Sequence, residues 1–294
     1  MTKGEGIQKY INNSIDLIFS KDNRKYVLIA LVIGLVLRLI VSNNVAVLAD
    51  EMLHGPHAMN IISSGVINLQ NECPAWFYLT DISYHLLGVT AIGARFLSLF
   101  FGVFSILLIY LIAYRITTPK IAVISSILLA ISAYVIRYTL MEMDISMMFF
   151  ILLGFYYFTK DIDENKLSYY PSIFLGIAML IKPIALPFIA SFVIYYFFFI
   201  DSKVGRLNWF KSNKKKILIS LLILLLFAMP IISFNIILHE QKGITDVLFS
   251  RFFKVNQTIY SSLQGYDKSF SLSYFFSDGI PWVIKDSFFK LDPV

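Results

Sequence analysis

The strongest constraint on this chain is a series of near-continuous apolar runs, at residues 26–42, 94–114, 121–136, 145–158 and 217–238. A helix needs about 20 such residues to traverse roughly 30 Å of hydrocarbon. The runs do not alternate between apolar and polar positions, which excludes the strands of an outer-membrane barrel and favours helices. Composition agrees: 57% of the 294 residues are hydrophobic and 15% charged, against about 25% charge in an ordinary soluble domain. The expected fold is all-α, a polytopic helical bundle integral to a membrane.

Two further segments need separate treatment. Residues 75–87 form a stretch of 13 between Pro74 and Gly88, about 20 Å as a helix, and carry Thr80, Asp81, Tyr84 and His85. That is short and polar for a crossing, and Trp76 and Tyr78 suit the headgroup layer, so an interfacial helix is expected. Residues 167–200 would make a helix of about 50 Å, too long for a single pass. Lys182-Pro183 lies at its middle. Proline removes a backbone donor and disfavours helix in the residue before it, so two short passes with Lys182 at the apex of a hairpin are expected.

Short loops rich in Lys and Arg stay in the cytoplasm. With seven passes and the N-terminus inside, 15 of the 25 Lys and Arg lie in inner segments; a crossing by residues 75–87 would move ten of them outside. The net charge of +6 is accounted for in this way and needs no nucleic-acid partner. The N-terminus shows no short apolar core with a small-residue cleavage site, so residues 26–42 are expected to remain as an anchor. A transmembrane module at 1–238 precedes a segment at 239–294 expected outside, where Phe275, Phe276, Trp282, Phe288 and Phe289 suit a lid, the start of another pass or a partner surface. Cys73 is the single cysteine, which excludes an internal disulfide framework and a thiol-built zinc site.

This topology places the loop 43–93, the turn 137–144 and the Lys182 apex on one extracytoplasmic face. Charges so near hydrocarbon are costly unless paired or in a polar cavity, and so mark a functional site. Asp50 and Glu51 either complement the dipole of a helix at 56–64 or act as a general base on an acceptor hydroxyl. Arg137 and Lys182 either snorkel toward headgroups or bind an anionic phosphate. Arg38 and Arg95 have the same two readings, with structural roles favoured. Glu142 and Asp144 form an ExD pair whose oxygens suit magnesium or manganese. His54 and His57 suit hydrogen bonding to substrate or loop backbone better than zinc, their spacing being loose. Asp81 and His85, four apart, are expected to pair.

The motifs VLRLI, DEMLHGPHAMNIISSG, PAWFYLTDISYHLLGVTAIGARFLSLFFG, RYTLMEMD and LIKP, in that order across residues 31–199, resemble the GT-C fold of polyprenyl-phosphate-sugar-dependent glycosyltransferases. Protein O-mannosyltransferases, bacterial aminoarabinose transferases and archaeal relatives share it. The resemblance implies a hexosyl- or pentosyltransferase with a polyprenyl- or dolichyl-phosphate-sugar donor. It also implies a lipid, glycan or protein acceptor and a cell or endoplasmic-reticulum membrane. It maps the catalytic base onto Asp50, with Glu51 beside it; a phosphate leaving group needs cations where its charge develops, and Arg137 and Lys182 are expected to supply them. Several relatives carry a lysine before the proline of the second interfacial helix; here Cys73 precedes Pro74, so that phosphate contact is not carried over.

Three other readings remain open. An oligosaccharyltransferase-like enzyme would use paired acidic motifs with a divalent metal, for which the ExD is the relevant feature. A transporter would bury ionisable groups near the midplane and show repeated halves, whereas here the charges gather at one face without a repeat. A non-catalytic membrane protein is the third.

Overall fold

A computed structural model of the chain describes residues 23–45, 51, 55–56, 58–59, 74–140, 143–164, 166–198, 206–245 and 256–257. The chain divides into two compact units, one reaching Phe227 and one beginning at Ala228.

The first unit is helical: α1 (Arg24–Asn44), α2 (Pro74–Leu87), α3 (Ala91–Ile116), α4 (Pro119–Ile131), α5 (Ala133–Arg137), α6 (Met143–Asp163) and α7 (Tyr170–Ile181). A 3-10 turn, Pro183–Ala185, leads into α8 (Leu186–Phe198), and α9 (Arg206–Lys242) begins in this unit. The segments Lys25–Asn44, Ala91–Ile116, Met143–Asp163 and Lys211–Ile237 are long and apolar enough to cross a membrane, while Pro119–Ile131, Tyr170–Ile181 and Pro183–Tyr195 are apolar but shorter. The expected all-α membrane bundle is therefore present. In the second unit, after α9 ends, β1 (Ile244–Thr245) pairs in parallel with β2 (Asn256–Gln257); most of the segment 239–294 lies outside the described residues.

The helix α3 is central and packs against α1, α2, α4 and α6. Without a hydrophobic force between helices in lipid, close approach depends on small residues and van der Waals fit. Gly102 shows the effect: a Cβ there would come within 2.5 Å of Thr139 Cγ2 and 3.2 Å of Arg38 Nε. One residue earlier, the Phe101 ring lies 4.8 Å from Phe149 and 5.3 Å from Phe150 of α6.

The run 121–136 is not a single helix as expected, because it breaks at Ser132, whose backbone is extended and whose hydroxyl caps α5 by accepting from Val135 N. Arg38 of α1 supplies the physical reason. Its guanidinium, wholly buried, donates to Ala130 O at 3.1 Å and Leu129 O at 3.4 Å. Those are the carbonyls that an uninterrupted helix would offer to the N–H groups of Ala133 and Tyr134.

The break at Lys182 agrees with expectation. Its backbone is extended, at φ −154° and ψ 120°, as the residue before a proline prefers. The chain also reverses there. Tyr170 of α7 lies against Tyr157, near the end of α6, whereas Lys182 reaches Asp144 at its start. Phe192 and Tyr195 of α8 then return to Phe158.

The helix expected at 75–87 forms as α2, closed by Gly88 in the left-handed region at φ +77°. Thr90 then caps α3 by accepting from Gly93 N, and Ser83 Oγ donates to Gly93 O at 2.5 Å. On α2, Trp76, Thr80, Asp81 and Tyr84 are buried, while Ile82, Leu86 and Leu87 are exposed. Asp81 and His85 pair as expected, 3.2 Å apart.

Arg95, on the first turns of α3, ties α1 to α3. Its Nη1 donates to Ser42 O at 2.5 Å and Val45 O at 3.1 Å, at the end of α1. Its Nε and Nη2 donate to Glu51 Oε1 and Oε2 at 2.5 and 2.6 Å. At the opposite end of the bundle Arg115 pairs with Asp163 at 2.7 Å, and Asp161 accepts from Ser168 N and Oγ at 2.7 and 2.9 Å.

Two stability predictions follow from these contacts. Gly102→Val overfills the α3 contact and is expected to cost about 1–3 kcal/mol, read as a lower Tm of the detergent-purified protein; an unchanged Tm contradicts the packing. Glu51→Ala strands a buried guanidinium, at a cost of about 3–5 kcal/mol. Combining it with Arg95→Met is expected to lose less than the sum of the single changes, and strict additivity contradicts the pairing.

Candidate functional site

Glu51, Arg95, Asp144 and Lys182 lie at one end of the bundle, traced by contacts, and Arg137 lies six residues before α6 begins at that end. Arg95 holds the end of α1 beside the start of α3. The Phe101 contacts set the first half of α3 beside the first half of α6. The start of α6 in turn carries Asp144, which Lys182 reaches from the end of α7. Arg137 ends α5 and is exposed, within a turn in which Leu140 N donates to Arg137 O. Asp50, His54, His57 and Glu142 lie outside the described residues.

Two ion pairs of different character result. Glu51 and Arg95 are almost wholly enclosed, with side chains 3% and 2% exposed. Expected together with Asp50 as a proton acceptor, Glu51 spends both carboxylate oxygens on a two-pronged guanidinium bond, a geometry that fixes its position. The other pair is open to its surroundings: Lys182 Nζ donates to Asp144 Oδ1 and Oδ2 at 2.9 and 2.8 Å, and the side chains are 32% and 31% exposed. An ammonium so held is a point charge that an incoming anion can share or capture. The expected phosphate ligand Lys182 and one half of the expected ExD cation pair thus meet each other. Among the described residues no three of His, Cys, Asp and Glu cluster as metal ligands.

Sequence reasoning missed the partner of Glu51, because a separation of 44 residues carries no spacing signal; the apolar flank of Arg95 was the available hint, since a cation there needs a partner. It also missed Tyr84. Tyr84 and Glu51 share a cavity of about 200 Å³ with Gly55, Pro56, Met59, Val89, Thr90, Ala91 and Ala94. Burial, and then the negative charge of Glu51, push the Tyr84 phenol above its ordinary value, so it remains a hydrogen-bond donor at neutral pH.

Among the described residues, buried polar atoms with no hydrogen-bond partner include Trp76 Nε1 and Thr80 Oγ1, four apart on α2, and Ser146 Oγ in the first turn of α6. Each such atom costs about 1–3 kcal/mol when left unpaired.

Comparison with known proteins agrees with this architecture. A protein from Aquifex aeolicus (strain VF5), described as uncharacterized, is 34% identical over 120 residues, covering 38% of this chain and 23% of that protein. The match thus spans about a quarter of the relative's length. No solved structure matches the chain. The family model described as dolichyl-phosphate-mannose-protein mannosyltransferase matches residues 71–234, from the approach to α2 through most of α9. With four helices long enough to cross a bilayer and shorter apolar helices between them, this multi-pass integral membrane protein belongs to the dolichyl-phosphate-mannose-protein mannosyltransferase family.

Proposed function

We propose that the protein is a GT-C glycosyltransferase that moves a sugar from a polyprenyl-phosphate carrier to an acceptor hydroxyl on the extracytoplasmic face, with the N-terminus cytoplasmic. The observation that carries this reading is the Asp144–Lys182 pair, half-open and at the same end as Glu51 and Arg137. Polar recognition is gathered where a lipid-anchored substrate would present its phosphate and sugar while its tail stays in hydrocarbon.

In the proposed reaction Asp50 takes the proton of the acceptor hydroxyl as its oxygen forms a bond to the anomeric carbon. The bond from that carbon to the phosphate oxygen breaks, its electron pair leaves with the phosphate, and the configuration inverts. Lys182 and Arg137 bind the departing phosphate, where negative charge develops. Asp144 holds the ammonium in place. Glu51, immobilised by Arg95, fixes the chain at the residue next to Asp50, so its part is to position the base. Tyr84, kept protonated, is a donor in the cavity that Glu51 lines. His54 and His57 belong to the same loop and are assigned to hydrogen bonding with substrate.

The second reading, a metal-dependent oligosaccharyltransferase-like enzyme, draws on Glu142 and Asp144 as an ExD. Because Lys182 occupies both oxygens of Asp144, the first reading predicts activity insensitive to chelator. Activity lost with chelator and restored by manganese would instead support the second.

The purified protein in lipid nanodiscs, given a panel of polyprenyl-phosphate sugars, tests the proposal. Asp50→Asn is expected to lower turnover by about 10²–10⁴-fold, the range of general-base catalysis, without loss of fold; equal turnover by both proteins removes Asp50 from the chemistry. Lys182→Met forfeits a charge-assisted bond of about 1.5–3 kcal/mol and is expected to lower kcat/KM for the donor about 10–100-fold, with partial recovery in Lys182→Arg. An unchanged kcat/KM removes the lysine from phosphate binding.

A further inference from the structure

The helix α9 carries a cationic cluster that the proposed reaction does not use. The apolar part begins at Ile217, so the turns before it stand beyond the hydrocarbon. There Lys211, Lys214, Lys215 and Lys216 are all exposed, and none makes an ion pair with a carboxylate among the described residues. The contrast with Arg95, Arg115, Lys160, Lys166 and Lys182, each in a salt bridge, is plain.

No acidic residue occurs between Arg206 and Phe227. Cations three and four apart on one helix repel each other, as Lys211 does with Lys214 and Lys215. The cluster therefore offers a concentrated positive charge to an external anion. The spacing also identifies what lies beneath it. Lys211, Lys214 and Lys215 continue at helical intervals into Leu218, Leu222 and Leu225, which are 59%, 53% and 51% exposed. One stripe of α9 is thus cationic at its head and apolar below, the profile of a two-chain amphiphile with a negative headgroup.

We propose that this stripe binds an anionic phospholipid of the leaflet at the Lys211 end, its phosphate bonded by Lys211, Lys214 and Lys215 and its acyl chains lying along Leu218, Leu222 and Leu225. Lys216, on the adjoining face, adds to the attractive field. A juxtamembrane lysine is worth about 1 kcal/mol against an anionic surface, so several act together as a selective site. The site is independent of the sugar-transfer reading.

Native mass spectrometry of the full chain, extracted from mixed micelles with equal phosphatidylglycerol and phosphatidylcholine, measures it. The natural sequence is expected to retain phosphatidylglycerol preferentially, and the variant K211Q/K214Q/K215Q to lose that preference by about tenfold or more. The corresponding triple arginine variant should keep it, as should Lys120→Gln, which removes an exposed lysine elsewhere. All four positions are exposed, and an unchanged thermal transition verifies that each variant folds. The proposal is overturned by an equal preference in the glutamine variant, by no preference in the natural sequence, or by dimers that retain both lipids equally, which would mean a second copy covers the stripe.

Discussion

Hydrocarbon offers no hydrogen bonds, so every helix end near it must find its own partners. Two buried arginines meet that constraint. Arg95 takes the carbonyls of Ser42 and Val45, and Arg38 takes those of Leu129 and Ala130. Each is a cation set against the negative end of a helix, where the macrodipole favours it. Together they determine where α1 stops and where α4 gives way to the short α5 that carries Arg137. The position of the polar rim follows from these clamps, because its residues hang from the elements they fix.

The rim then divides its charges by exposure. The Glu51–Arg95 pair is dry and closed, which suits a fixed strut: breaking such a pair is costly, whereas its net contribution to stability is small. The Asp144–Lys182 pair is half-open, so solvent screens it and a competing anion can enter at modest cost. A site that binds and releases a phosphate needs the second kind of pair, supported by the first. Buried hydroxyl and indole groups on α2 and α6 add polarity where the surrounding helices are otherwise apolar.

Much of this was readable in the sequence. Apolar run length located the membrane helices, and the brackets Pro74 and Gly88 located α2. Lys182-Pro183 announced the reversal between α7 and α8, since the constraint there is local to two residues. Placing Arg137, Asp144 and Lys182 at one end required only the alternation of passes. What escaped was long-range pairing. At 132 only a capping serine marks the break, and the Arg38 contacts that go with it come from more than 90 residues away. The bond between Arg95 and Glu51 is hidden for the same reason, and with it the reason that the Glu51 carboxylate is already engaged.

In the proposed mechanism Asp50 shares one pocket with the Lys182 ammonium on the same side of the membrane. Pulsed electron–electron spin resonance measures this directly, with spin labels at positions 50 and 182 of a Cys73→Ser protein held in nanodiscs. A single population closer than about 20 Å, allowing for label length, is expected, whereas a separation of about 30 Å or more, the depth of the hydrocarbon, sets the two residues on opposite faces and rules the shared pocket out.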